Sequence, residues 1–148
     1  MASKRVGKHN QSPFRVLVVD DDHQDAFFVT SALEEAGVTA TDVVTSGADA
    51  LAMIQEGRHD LVILDLNLPG ITGRDVLRSV RGGERNSNTP IIVLSASAQR
   101  TDIEECYGLR ANAYIVKPYG IEEYDRIAQG VCDFWKDISL LPDPAPAT

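Results

Sequence analysis

Apolar positions along the chain fall into two kinds of run, and the contrast between them predicts the fold. Phe14 to Val19, Leu61 to Leu64, Ile91 to Leu94 and Ala113 to Val116 are short, nearly continuous and rich in Val, Ile and Leu, with a weaker run near Asp42 to Val44. Unbroken apolar runs of this length predict strands covered on both faces. Between them the spacing changes to every third or fourth residue. Ala26, Val29, Ala32 and Leu33 predict a helix from about His23 to Ala36, stopped by Gly37. Ala50, Leu51 and Ile54 predict a second after Ser46 and Gly47, and Val76, Leu77 and Val80 a third, with the Thr72 hydroxyl as N-cap. A weaker fourth is expected from Thr101 to Tyr107 and a fifth from about Ile121, while Gly82 to Thr89 reads as a loop. Strand and helix in regular alternation imply five βα units around a parallel sheet, a doubly wound α/β domain of three layers.

Composition supports one such domain. The chain has 148 residues, 43% hydrophobic and 24% charged, close to average globular usage. A formal net charge of -8 argues against direct nucleic-acid binding, which depends on clustered Lys and Arg releasing counterions. The one basic cluster, "MASKRVGKHNQSP", reads as a flexible arm over residues 1–13, and "PDPAPAT" as a disordered tail. No apolar run approaches the roughly 20 residues that span a bilayer, so a cytoplasmic protein without membrane attachment is expected. Cys106 and Cys132 are too few and too far apart for a disulfide framework or a zinc box, and His9, His23 and His59 lack ligand spacing.

Polar residues that follow the strands carry the chemistry. "VLVV" leads into Asp20 and Asp21, "LVIL" into Asp65, "IIVL" into Ser95 and "YIV" into Lys117. In an open parallel sheet these positions share one edge, outside the carboxyl ends of the strands, where ligands bind. Three converging carboxylates repel one another, and a dication removes the conflict. Magnesium suits the set, being hard, oxygen-liganded and satisfied with few carboxylates; Asp20, Asp21 and Asp65 would supply oxygens, and the carbonyl of Asn67 another. With Lys117 as a mobile positive charge opposite them, the site is near neutral and receptive to a phosphoryl group. Asp65 is the candidate nucleophile, forming an acyl phosphate while metal and lysine neutralise the transferring oxygens. Asp22 and Asp25 read as solvated charges at a helix start, and Tyr107 and Tyr124 as packing residues.

In order and spacing, "VLVVDDD", "LVILDLNLPG", "PIIVLSAS" and "AYIVKPY" resemble the receiver domains of bacterial two-component response regulators, from Phe14 to about Cys132. The resemblance implies a flavodoxin-like five-stranded (βα)5 fold over residues 14–132. It also implies that Asp20 and Asp21 are the magnesium pair, Asp65 the phosphoacceptor and Lys117 the phosphate-contacting lysine, with the bond before Pro118 usually cis. Ser95 would hydrogen-bond the phosphoryl group, and Tyr114 would turn inward as Ser95 is drawn towards it. The implied partners are a histidine kinase and a downstream phosphotransfer protein, and the implied role is signalling rather than enzymatic turnover.

Beyond the usual receiver terminus, Tyr124, Ile127, Ala128, Val131, Trp135 and Ile138 continue one helical stripe. The extension over residues 133–148 therefore offers Phe134, Trp135, Ile138 and Leu141 as homodimer contacts, or else folds back onto its own domain. With no output domain after it, the extension resembles the single-domain regulators that work with bacterial phytochromes. Two other functions compete. A haloacid-dehalogenase-like phosphatase would need a second Asp two positions after Asp65, where this chain has Asn67; an interaction scaffold would keep the fold without the chemistry.

Overall fold

The chain folds as five βα units in the expected order: β1 Arg15–Val19, α1 His23–Glu35, β2 Ala40–Val44, α2 Gly47–Glu56, β3 Leu61–Leu64, α3 Gly73–Gly82, β4 Ile91–Ser95, α4 Arg100–Gly108, β5 Ala113–Val116 and α5 Ile121–Val131. The computed structural model describes residues 13–142, so most of the basic arm and nearly all of the Pro-rich tail lie outside the described residues. All strands are parallel in the order β2-β1-β3-β4-β5. Among the described residues no helix is long and apolar enough to cross a membrane.

Alternate strand residues feed two cores. Val16, Val18, Ile63, Ile92 and Leu94 meet Val29 and Leu33 of α1 and Tyr124, Ala128 and Val131 of α5. Leu17, Val19, Val62, Leu64 and Val93 point the other way, onto Ala50 and Ile54 of α2, Val76, Leu77 and Val80 of α3, and Cys106 of α4. Both faces of the central strands are thus covered, which explains why their sequences run apolar without alternation. β2 is an edge strand whose residues are half-buried or exposed, and its in-register pairing from Arg15 with Ala40 to Val19 with Val44 extends it two residues before the weak apolar run. Pairing to a neighbour, rather than local composition, sets its start.

Local chemistry fixes where the helices begin. The Asp22 side chain accepts from the N–H groups of Gln24 and Asp25, Ser46 accepts from Asp49, and Thr72 and Asp75 form a reciprocal capping box. Each cap contributes about 1 kcal/mol.

The C-terminal stripe departs from its expected path. After α5 the chain widens into a π-helical turn over Cys132–Lys136, with Asp137 N–H donating to Cys132 O and Ser139 N–H to Phe134 O, five residues back. That wider turn breaks the 3.6-residue register, and Ile138 leaves the stripe with 70% of its surface exposed. The four expected dimer residues are therefore divided. Trp135 and Leu141 pack against the domain's own core, the fold-back alternative, whereas Phe134 and Ile138 face outwards together with Leu140.

Gly73 couples this scaffold to Asp65. A Cβ there would lie 2.4 Å from the Asp65 carbonyl oxygen and 2.6 Å from the Leu66 Cα, both backbone atoms that cannot swing aside. Gly73→Ala should accordingly lower stability by about 1–3 kcal/mol in urea unfolding, as overpacking does.

Candidate metal centre

The order in which strands are added to the sheet reverses between β1 and β3, because β2 lies to one side of β1 and β4 to the other side of β3. The crevice at such a reversal is where open α/β sheets bind ligands. Asp20 and Asp65 stand there side by side, each anchored by its own backbone: Asp20 N–H donates to Val44 O at 3.1 Å and Asp65 N–H to Val19 O at 3.0 Å. Asp20 and Asp65 are buried, while Asp21 is exposed above them. Carboxylate oxygens of Asp20, Asp21 and Asp65 all lie within 4.8 Å of one another. Hard oxygen donors in that arrangement fit magnesium or manganese.

Lys117 closes the site from β5. Its Nζ lies 2.8 Å from Asp25 Oδ2, 2.9 Å from Asp20 Oδ2 and 3.2 Å from Asp65 Oδ2, and its backbone N–H donates to Ser95 O at 2.7 Å. Burial is the largest single influence on this ammonium and pulls its pKa down. Hydrogen bonds to Asp25 and Asp20 and the charges of Asp65 and Asp20 outweigh it, so Lys117 sits above the ordinary lysine value. Asp20 is raised as well, which for a carboxyl favours the neutral form: it is pushed up to about 6, first by burial and also by the charge of Asp65, against hydrogen bonds from Asp22 N–H and Lys117. One lysine does not neutralise this group of acids, and a dication would supply the missing positive charge.

Around Asp65 the expected residues assemble. Asn67 lies at the exposed rim and its N–H donates to Asp65 Oδ1 at 3.2 Å. Ser95 ends β4, buried, and its Oγ accepts from Ser97 N–H at 3.2 Å. Tyr114 on β5 is half-buried and its hydroxyl donates to Ser97 O at 2.8 Å. Ser97 Oγ donates in turn to Asp102, which with Glu105 receives the guanidinium of Arg74 from α3. The peptide bond before Pro118 is trans, unlike the isomer the resemblance implied.

Comparison with known proteins accounts for the arrangement. A family model described as the response regulator receiver domain matches residues 16–129. The chain belongs to this family. Among receiver proteins it is similar to the chemotaxis protein CheY of Pseudomonas aeruginosa, 36% identical over 71% of this chain and 85% of that protein. It is also similar to response regulator Rcp1 of Synechocystis, whose Mn(2+)-bound crystal structure superposes with a TM-score of 0.80 at 28% identity, covering 88% of this chain and 99% of the other. A third is the phosphorylated cyanobacterial phytochrome response regulator RcpA, with TM-score 0.83 and 30% identity over 88% of this chain and 99% of that one.

Within the receiver, sequence reasoning missed Asp25. Read as a solvated helix-start charge, it is instead the shortest contact of Lys117. The missing signal was helical geometry: the first turn of α1 brings Asp25 back over the strand ends. Asp22 behaves as read, capping α1. Tyr124 packs in the core as expected, but Tyr107 is half exposed. His59 is buried at the opposite end of the sheet, with Nε2 2.7 Å from Asp42 Oδ2.

Because Asp20 holds its proton to about pH 6 in the metal-free fold against 3.8 ordinarily, the folded state binds more protons than the unfolded state between those values. Metal-free stability from this group should therefore fall as pH rises through 6, and divalent-metal affinity should fall as pH drops below it. Asp20→Asn should raise metal-free stability at pH 7 by on the order of 1–2 kcal/mol in urea unfolding and abolish magnesium binding measured by calorimetry.

Proposed function

We propose that this receiver accepts a phosphoryl group on Asp65 from the phosphohistidine of a histidine kinase, in a magnesium-dependent reaction, and signals through altered protein contacts or onward phosphorelay. The observation that carries the reading is the convergence at Lys117 Nζ, which touches both Asp20 and Asp65 although the three residues come from three different strand ends. An Asp65 oxygen forms the new bond to phosphorus as the P–N bond to the kinase histidine breaks, and the electron pair of that bond stays on the imidazole nitrogen. Asp20, Asp21 and Asp65, with the Asn67 carbonyl, would hold magnesium, which would supply positive charge against the transferring oxygens. Lys117 supplies the matching positive charge from the β5 side, and the sheet fixes the nucleophile against its neighbours.

Ser95 then donates a hydrogen bond from its hydroxyl to a phosphoryl oxygen, which draws its Oγ away from Ser97 N–H. Tyr114, held through its hydroxyl to the same loop at Ser97, is placed to follow that shift. Likeness to RcpA, a phytochrome response regulator, supports a bacteriophytochrome as the kinase. The outward ridge of Phe134, Ile138 and Leu140 supports a homodimer, since apolar residues clustered on a surface mark interfaces. A phosphatase reading gains nothing from Asn67, whose side chain cannot act as a general acid.

Incubation with magnesium and acetyl phosphate should give one acid-labile, hydroxylamine-sensitive phosphate per chain, absent in Asp65→Asn; continuous turnover would count against the receiver reading. Lys117→Ala should bind magnesium at least as tightly, its ammonium no longer occupying the carboxylates, yet transmit phosphorylation poorly. Ile138→Asp should lower the mass measured by light scattering at micromolar concentration with the urea midpoint unchanged, whereas Trp135→Ala should lower the midpoint.

A further inference from the structure

A lysine ammonium has three N–H donors, and three carboxylates lie within 3.2 Å of the Lys117 ammonium. Asp20 and Asp65 belong to the acidic cluster; Asp25 does not. Asp25 is nevertheless the shortest partner, at 2.8 Å against 2.9 Å for Asp20 and 3.2 Å for Asp65. It reaches the ammonium from the first turn of α1, with a side chain 30% exposed where those of Asp20 and Asp65 are 3% and 6% exposed. The helix does not depend on it, because Asp22 provides the cap.

We infer that Asp25 is a positioning residue for Lys117, holding the ammonium towards α1 so that its contact with the Asp65 oxygen stays the longest of the three. The inference rests on the phosphoacceptor reading of Asp65. A lysine stem of four methylenes does not fix its own end, so neighbouring anions decide where the charge rests. Without Asp25 the strongest remaining anions are Asp20 and Asp65, and the ammonium settles between them. There it ties up Asp65 Oδ2, the atom it now contacts at the longest of its three distances. With Asp25 present, one donor is held outside the acidic cluster and stays at the entrance, where an incoming phosphoryl oxygen exchanges with a carboxylate oxygen. Asp25 touches no reacting atom. Its effect passes through Lys117.

Acetyl phosphate with magnesium provides the assay: Asp65 forms the bond to phosphorus, the bond from phosphorus to the acetyl oxygen breaks, and acetate leaves as the anion. Asp25→Ala should lower the maximal labelling rate about 5- to 10-fold, the scale of a misplaced positive charge, with the half-saturating donor concentration within about twofold. Asp25→Glu, which restores a carboxylate on a longer arm, should recover most of the rate, and Asp25→Asn should not. In a Lys117→Met background Asp25→Ala should change nothing. An equal fold-loss in both backgrounds, or an unchanged or faster rate in Asp25→Ala alone, overturns the inference.

Urea unfolding in EDTA gives a readout that needs neither metal nor phosphate. Asp25→Ala should lower the midpoint more when Lys117 is present than in the Lys117→Met background, the helix-start contribution of Asp25 being common to both; equal shifts in both backgrounds overturn the pairing. Failure of the underlying reading is seen separately, as wild-type protein that gains no phosphate sensitive to Asp65→Asn.

Discussion

Carboxylates do not gather without a force that holds them. Asp20, Asp21 and Asp65 share a space of 4.8 Å because the sheet fixes their backbones, through the bonds from Asp20 N–H to Val44 O and from Asp65 N–H to Val19 O. The two apolar cores beneath and above the sheet supply the free energy that offsets the repulsion. Folding stability is spent here on an arrangement that disfavours the empty site. The raised pKa of Asp20 records the cost first of burial and then of the charge of Asp65, and the elevated pKa of Lys117 records the partial relief.

From this one constraint the other features of the edge follow. A site short of positive charge attracts a dication and holds a lysine between its acids, and the same lack of balance favours anionic groups only once cations have entered. Receivers similar to this chain include one whose crystal structure holds Mn(2+) and one that is phosphorylated. Position along the sheet matters as much as charge. Gly73 lets α3 begin directly against the carbonyl of Asp65, so the helix and Asp65 form a single corner.

Much of the fold was legible because central parallel strands announce themselves as unbroken apolar runs. Leu61 to Leu64 and Ala113 to Val116 were bounded correctly for that reason, and Thr72 for its hydroxyl. β2 was legible only in part, since an edge strand is defined by the neighbour it pairs with. Asp20, Asp65, Ser95 and Lys117 could be placed together because each directly follows or ends a strand in a sheet of known polarity. Asp25 could not, since a charge in a helical first turn carries the same signature whether it meets solvent or a lysine. The outward turn of Ile138 was hidden for a related reason: periodicity presumes 3.6 residues per turn, and one π-helical turn invalidates it.

Ser97 uses its N–H, its carbonyl and its hydroxyl at once, towards Ser95, Tyr114 and Asp102. It works as the pin of a linkage: pulling the Ser95 hydroxyl aside frees one arm of the pin, and the other two arms end on an aromatic ring of β5 and on the Arg74 ion pair that straps α3 to α4. The buried end of β4 is thereby joined by hydrogen bonds through one residue to β5 and to the α3–α4 strap.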